Sequence, residues 1–142
     1  MSKITIYTDG GAIGNPGLAG IGVVIRGGGR EKKYSEAIGN GTNNEAEYKA
    51  LVFALKKTKL LFGKKNVKET EIDCFLDSEL VVKQLNGEYK IKEESLKPLF
   101  LEVWNLKIDF KNVNFIHVPR EQNKEADELV GQAIGKNQSR LI

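Results

Sequence analysis

With 142 residues, 29% of them charged and 40% hydrophobic, the chain suits one layered α/β domain and is too polar for a membrane protein. A net charge of +3 suits a polyanionic partner, although a solvated lysine-rich surface explains it equally well. The single cysteine, Cys74, excludes an internal disulfide and a cysteine-based zinc site.

Residues 3–9 alternate and carry β-branched side chains, which predicts a first strand ending at Asp9. The glycine-rich stretch 10–20, with Asn15-Pro16, reads as a connection. A second strand follows at Ile21–Ile25, and Gly27-Gly28-Gly29 turns the chain into a third over about 32–40. Three strands with short connections make an antiparallel meander. The period then changes: Ala50, Leu51, Ala54 and Leu55 recur at helical spacing between Asn44 and Leu61, with Asn43 or Asn44 as cap and Gly63 as stop. Residues 70–77 form a fourth strand ending at Asp77. Ser78 caps a short helix to about Leu85, stopped by Asn86-Gly87. From Ser95, Leu96, Leu99, Phe100, Val103 and Leu106 outline another helix. Phe110 to Val118 reads as a fifth strand, and Asn123 to Ile134 as the last helix.

The order is β-β-β-α-β-α-α-β-α, a mixed α/β fold. Helical crossovers on either side of the fourth strand imply parallel pairing there. Residues 1–135 are expected to form one domain and 136–142 a mobile tail. The first residues carry no secretory pattern and no apolar stretch reaches membrane-spanning length, so a cytoplasmic monomer is expected.

Four carboxylates stand out. Asp9 and Asp77 end apolar strands, and neighbouring parallel strands would bring them together at a sheet's carboxyl end. Glu47 shares a helix face with Leu51, Ala54 and Leu55 and therefore points at the sheet, whereas Glu45 pairs with Lys49 on the solvent side. Asp127 lies one turn into the last helix, where the dipole favours its charge. Taken alone it is an ordinary first-turn acid. As a set, the four repel one another unless a cation binds, and all-oxygen ligands point to Mg²⁺ or Mn²⁺. His117, the sole histidine, ends the fifth strand. A lone histidine is more often structural, yet at an exposed strand end it could move protons near neutral pH.

The stretches Tyr7-Thr8-Asp9-Gly10-Gly11, Gly14-Asn15-Pro16-Gly17, Thr42-Asn43-Asn44-Glu45-Ala46-Glu47, Asp77-Ser78 and His117-Val118-Pro119 through Asp127-Glu128-Leu129 resemble, in that order, the type 1 ribonucleases H. The resemblance covers nearly the whole chain. It implies the ribonuclease H-like fold, a five-stranded mixed sheet flanked by helices, and endonucleolytic cleavage of the RNA strand of RNA–DNA hybrids. It also implies two Mg²⁺ ions held by Asp9, Glu47, Asp77 and Asp127, with Mn²⁺ as a substitute. One ion would activate water for in-line attack and the other would stabilise the leaving 3′ oxygen, giving 5′-phosphate and 3′-hydroxyl ends. His117 would correspond to a histidine aiding product release or proton transfer. By the same resemblance, Glu47 and the backbone at Gly10 and Gly11 would lie near ribose hydroxyls. Asn15, Asn43 and Asn44 would reach base edges in the shallow groove, and Thr42 would help hold a DNA phosphate. Turn and cap chemistry is a compatible second role for these residues.

One departure is plain. Some members insert a basic, tryptophan-bearing helix and loop near residue 85. Here residues 86–94 are short and carry three acids, Glu88, Glu93 and Glu94. The lysines at 56, 57, 59, 64, 65 and 68 read as a solvated surface rather than a replacement. Handle-less relatives sometimes accept double-stranded RNA, so the substrate range stays open. A non-cleaving hybrid-binding module is the alternative, and the presence of all four acids counts against it.

Overall fold

The computed structural model describes residues 3–135; the expected tail at 136–142 lies outside them. Strands β1 (Lys3–Ala12), β2 (Gly17–Gly27) and β3 (Arg30–Gly41) form the meander. Helix α1 (Asn43–Phe62) and the single turn α2 (Lys64–Val67) lead to β4 (Glu71–Leu76). Then come α3 (Glu79–Leu85), a 3-10 turn (Glu94–Leu96), α4 (Lys97–Lys107), β5 (Asn112–His117), a second 3-10 turn (Arg120–Gln122) and α5 (Lys124–Ala133). The sheet order is β3-β2-β1-β4-β5, with the first three strands antiparallel and both β1–β4 and β4–β5 parallel. The fold class is as expected.

The strands are longer than the sequence pattern suggests. β1 continues past Asp9 to Ala12 because Asp9, Gly10, Gly11 and Ala12 keep antiparallel partners in Gly22, Ile21, Gly20 and Ala19. The parallel β1–β4 register, in contrast, ends at Tyr7–Phe75. Asp9 and Asp77 therefore each lie two residues beyond the last registered pair, where the two strands part. Glycines that look like turn formers are mostly strand residues.

Ile4, Ile6, Val23, Ile25, Ile72, Cys74 and Leu76 line one sheet face and pack against Leu51 and Leu55 of α1, Val81 and Leu85 of α3 and Val103 of α4. Burial pushes the Cys74 thiol well up, so it serves as an inert core side chain. Helix α1 begins one residue earlier than expected and is capped by Thr42, not by Asn43 or Asn44. The Thr42 hydroxyl accepts from Glu45 N (3.1 Å), and the Glu45 carboxylate accepts from Thr42 N (2.8 Å), a reciprocal capping box. Glu45 is structural as expected, but its main partner is the Thr42 backbone; the Lys49 charge adds less. Gly63 ends α1 as expected.

On the opposite face α5 lies across β1, β2 and β3. A Cβ on Gly22 would collide with the Ala126 carbonyl oxygen and come within 2.8 Å of Leu129 Cβ, and one on Gly20 would come within 2.8 Å of Ala133 Cβ. These two glycines form the floor on which α5 sits. Outside this contact, Arg26 bridges Glu125 (2.7 Å) and Glu31 (2.5 Å), and Lys33 reaches Glu125 (3.0 Å). The last helix is thus fixed by close backbone approach beneath and by an exposed charge network at its first turn. Among the described residues, no helix is long and apolar enough to cross a membrane.

Seating α5 on Gly22 makes a testable demand. Gly22→Ala should cost about 2–3 kcal/mol in urea unfolding, because the obstructing atoms are helix backbone that cannot rotate away. A loss below about 0.5 kcal/mol would show that α5 is not held this closely.

Candidate active site

The carboxyl ends of β1 and β4 meet the N-terminus of α1, and three acids converge there. One carboxylate oxygen from each of Asp9, Glu47 and Asp77 lies within 4.8 Å of the others. Glu47 is delivered by the first turn of α1, which can approach β1 because residue 10 is glycine. A Cβ there would clash with the Ala46 carbonyl group and with Glu47 N. The Gly10 N–H donates to both Asp9 Oδ1 (2.9 Å) and Glu47 Oε1 (3.1 Å), tying the two carboxylates together.

Asp9 is 4% and Glu47 6% exposed, so both carboxyls are held away from water. Burial first, then the Asp77 and Asp127 charges, raise Asp9 from 3.8 to about 7, against the lowering effect of its hydrogen bond with Glu47. Burial and the Asp9 carboxyl push Glu47 well up as well. Both carboxyls are therefore biased toward the protonated form when no cation is near. Half-buried Asp77 is also raised by burial, moderated by the Asn123 side chain and the Arg120 and His117 charges. Two buried oxygens of this cluster, Glu47 Oε2 and Asp77 Oδ2, lack a hydrogen-bond partner. Orphaned lone pairs on an all-oxygen set are what a hard divalent cation requires. The residues fit such an ion.

Asp127 stands apart from this trio. It lies outside the 4.8 Å group and is exposed, but it lines the same depression of about 440 Å³ as Asp9, Gly10, Gly11, Asn43, Asn44, Glu47, Ser78 and Arg120. Its charge is felt at Asp9 and at Asp77. Three acids make the inner cluster and the fourth closes its open side.

His117 is exposed at the end of β5, in register with Leu76, so it sits on the neighbouring strand one residue short of Asp77. Gly11 and the asparagines gather at the rim. Asn15 Oδ1 accepts from Asn43 N and Asn43 Oδ1 accepts from Ala12 N, both at 2.8 Å, which locks the 13–16 turn against the start of α1. Asn44 donates to Glu93 (2.9 Å). The turn and cap chemistry allowed for these residues is therefore real.

Sequence reasoning did not single out Arg120 and Asn123. Asn123, read only as a helix start, is 1% exposed, and its amide donates to the Thr8 carbonyl (2.9 Å) instead of capping α5. The one available signal was the polar run from Arg120 to Glu125 between a strand-ending histidine and Asp127. Most of the lysine run lies elsewhere: α1 is about 30 Å long, Glu47 sits at its start, and Lys56 and Lys59 near its end are paired with Glu102 and Asp109.

A family model described as reverse transcriptase-like matches residues 7–133. Ribonuclease H of Acetivibrio thermocellus is 30% identical, over 96% of this chain and 98% of the relative. A bifunctional protein of Mycobacterium tuberculosis is 37% identical over 93% of this chain, which spans about a third (35%) of that relative's length. Among solved structures, a ribonuclease H1 isolated from compost superimposes with a TM-score of 0.88 at 47% identity, covering 97% of this chain and 99% of that one. The same protein in complex with an RNA/DNA hybrid gives 0.85 at 46% identity, over 95% and 99%.

The raised carboxyls determine how stability depends on pH. Because the folded state holds the Asp9 proton up to about pH 7 while the unfolded chain releases it near 3.8, metal-free stability should fall as pH rises across that window. Asp9→Asn should therefore raise the metal-free melting temperature at pH 8 by roughly 5 °C, with little difference at pH 4. Thermal scans at both pH values, with and without Mg²⁺, check this. A destabilised Asp9→Asn protein at pH 8 without metal would refute the account.

Proposed function

The chain belongs to the type 1 ribonuclease H family, and on that footing we propose that it is an endonuclease hydrolysing the RNA strand of RNA–DNA hybrids. The observation that carries the reading is the trio Asp9, Glu47 and Asp77, two of them buried and one half-buried, converging within 4.8 Å and holding two orphaned oxygens. A structural acid cluster would have basic partners, yet among the described residues none of the salt bridges involves Asp9, Glu47 or Asp77. The compost relative solved on a hybrid supports the substrate class.

In this reading Asp9, Glu47 and Asp77 hold Mg²⁺, with Asp127 completing the set for two ions; Mn²⁺ substitutes. Bound there, divalent ions supply Lewis acidity to the attacking water and the leaving 3′ oxygen. The side chains do the rest. Gly10 N–H fixes the orientation of Asp9 and Glu47 before substrate arrives. Gly10 lets α1 come down beside β1, which sets Glu47 and the backbone at Gly10 and Gly11 near a ribose 2′-hydroxyl, the group that distinguishes RNA from DNA. Asn15, Asn43 and Asn44 face base edges, and Thr42 a DNA phosphate. Exposed His117, beside Asp77, exchanges protons with solvent as the 5′-phosphate and 3′-hydroxyl products leave.

The test is cleavage of end-labelled hybrid, double-stranded RNA and single-stranded RNA in Mg²⁺ or Mn²⁺. Internal cuts in the RNA strand of the hybrid are expected, with Asp9→Asn and Asp77→Asn each lowering the rate by roughly 10³-fold or more. Cutting of double-stranded RNA as well would widen the substrate class. Hybrid bound but uncut in either metal would leave a non-cleaving binding module.

A further inference from the structure

Residues 86–94 carry no basic handle, yet they do not stand clear of the active-site rim. Leu96 is fully buried and anchors the end of the segment. Ser95, beside it, helps hold the Glu45 carboxyl of the α1 cap below its usual range. Glu93, three residues from that anchor, accepts a hydrogen bond from the Asn44 amide (2.9 Å). Asn44 lines the acid-bearing depression. Glu93 lines a separate cavity of about 570 Å³, walled by Leu80, Gln84, Tyr89, Lys90 and Lys92. The Glu93 carboxylate therefore stands at the boundary between the two hollows, bonded to the Asn44 amide on the rim of the acid-bearing one.

We propose that Glu93 is an affinity-setting residue, a fixed negative charge that occupies Asn44 in the free protein and opposes the nucleic-acid backbone where the duplex leaves the acid cluster. The inference rests on the proposed function, since it takes the ligand to be an RNA–DNA hybrid. A duplex reaching from the acids toward Tyr89 and Lys90 has to pass this boundary. Each phosphate there meets a like charge at short range, and Asn44 must exchange a charge-assisted bond for a contact with the ligand. Glu94, next in the chain, is a natural comparison. It is 84% exposed and paired with Lys97 (2.8 Å), with no bond to the rim. Proximity to Asn44, not the number of acids in the segment, sets the effect.

The experiment measures binding alone, by fluorescence anisotropy of a labelled hybrid, in the Asp9→Asn background without divalent ions. Adding Glu93→Gln or Glu93→Ala should tighten binding about fivefold at low salt, the scale of one like-charge contact in water-exposed surroundings. That gap should narrow to within about twofold at 0.5 M salt, where the repulsion is screened. Glu94→Gln should stay within about twofold of the parent throughout. Unchanged or weaker binding by Glu93→Gln would overturn the inference, as would equal tightening by Glu94→Gln, which would make the effect one of bulk charge. Weakening by Glu93→Ala alone would show a structural tether instead and overturn it too. If the unmutated protein neither binds nor cuts hybrid in Mg²⁺ or Mn²⁺, the proposed function fails, and this inference fails with it.

Discussion

Everything around the active end of this molecule is arranged about one unfavourable interaction, the confinement of the Asp9 and Glu47 carboxyls, with Asp77 beside them, in a place water barely reaches. Left ionised, buried carboxylates repel and lose hydration, and the protein answers by retaining protons at Asp9 and Glu47. Pairing with lysine or arginine would have relieved the strain permanently and removed the lone pairs from use. The donors supplied are weaker: one backbone N–H at Gly10, the Asn123 amide and the more distant Arg120 and His117 charges. Enough stabilisation is present to fold, and enough is withheld for a cation to bind.

That balance explains the glycines. The acids meet only if the start of α1 comes down onto β1, and if α5 comes down onto β2 from the other face. Gly10 permits the first approach and Gly22 the second. Gly22 is also the strand partner of Asp9, so both close approaches occur on neighbouring residues of one antiparallel pair. At both places the backbone is packed closely, and larger side chains are excluded there for reasons of space.

Much of this was legible before the structure. The order of elements, the parallel crossovers and the placing of Asp9 on the first strand and Asp77 at the end of the fourth follow from period and composition, because burial on a sheet face writes an alternating pattern directly into the chain. Glu47 could be separated from Glu45 by helix geometry alone. What local pattern could not show was the reach of pairing. Residues 10–12 and 17–20 look like loop because glycine has low strand propensity, yet a partner strand and a covering helix override that preference. The cap at Thr42 was hidden behind two asparagines that are equally good caps by type; the reciprocal Glu45 bond decides between them. Asn123 and Glu93 were invisible as site residues, since each acts through a partner remote in sequence, Thr8 in one case and Asn44 in the other.

The four acids do not share one mechanical status, and the difference follows from how each is held. Asp9, Glu47 and Asp77 are fixed by the sheet and by α1, whose shared core is dry and continuous. Asp127 rides on α5, which belongs to the other face and whose first turn is secured by Arg26 and Lys33 through exposed charges. Exposed ion pairs contribute little individually and weaken with salt. The glycine floor reaches this turn too, because Gly22 lies against Ala126, the neighbour of Asp127, so close backbone packing holds Asp127 in place more than the ion pairs do. The inner trio is thus set by the sheet and α1, and Asp127 by the seating of α5 on Gly22, so the two parts of the acid set depend on opposite faces of one strand pair, Asp9 with Gly22.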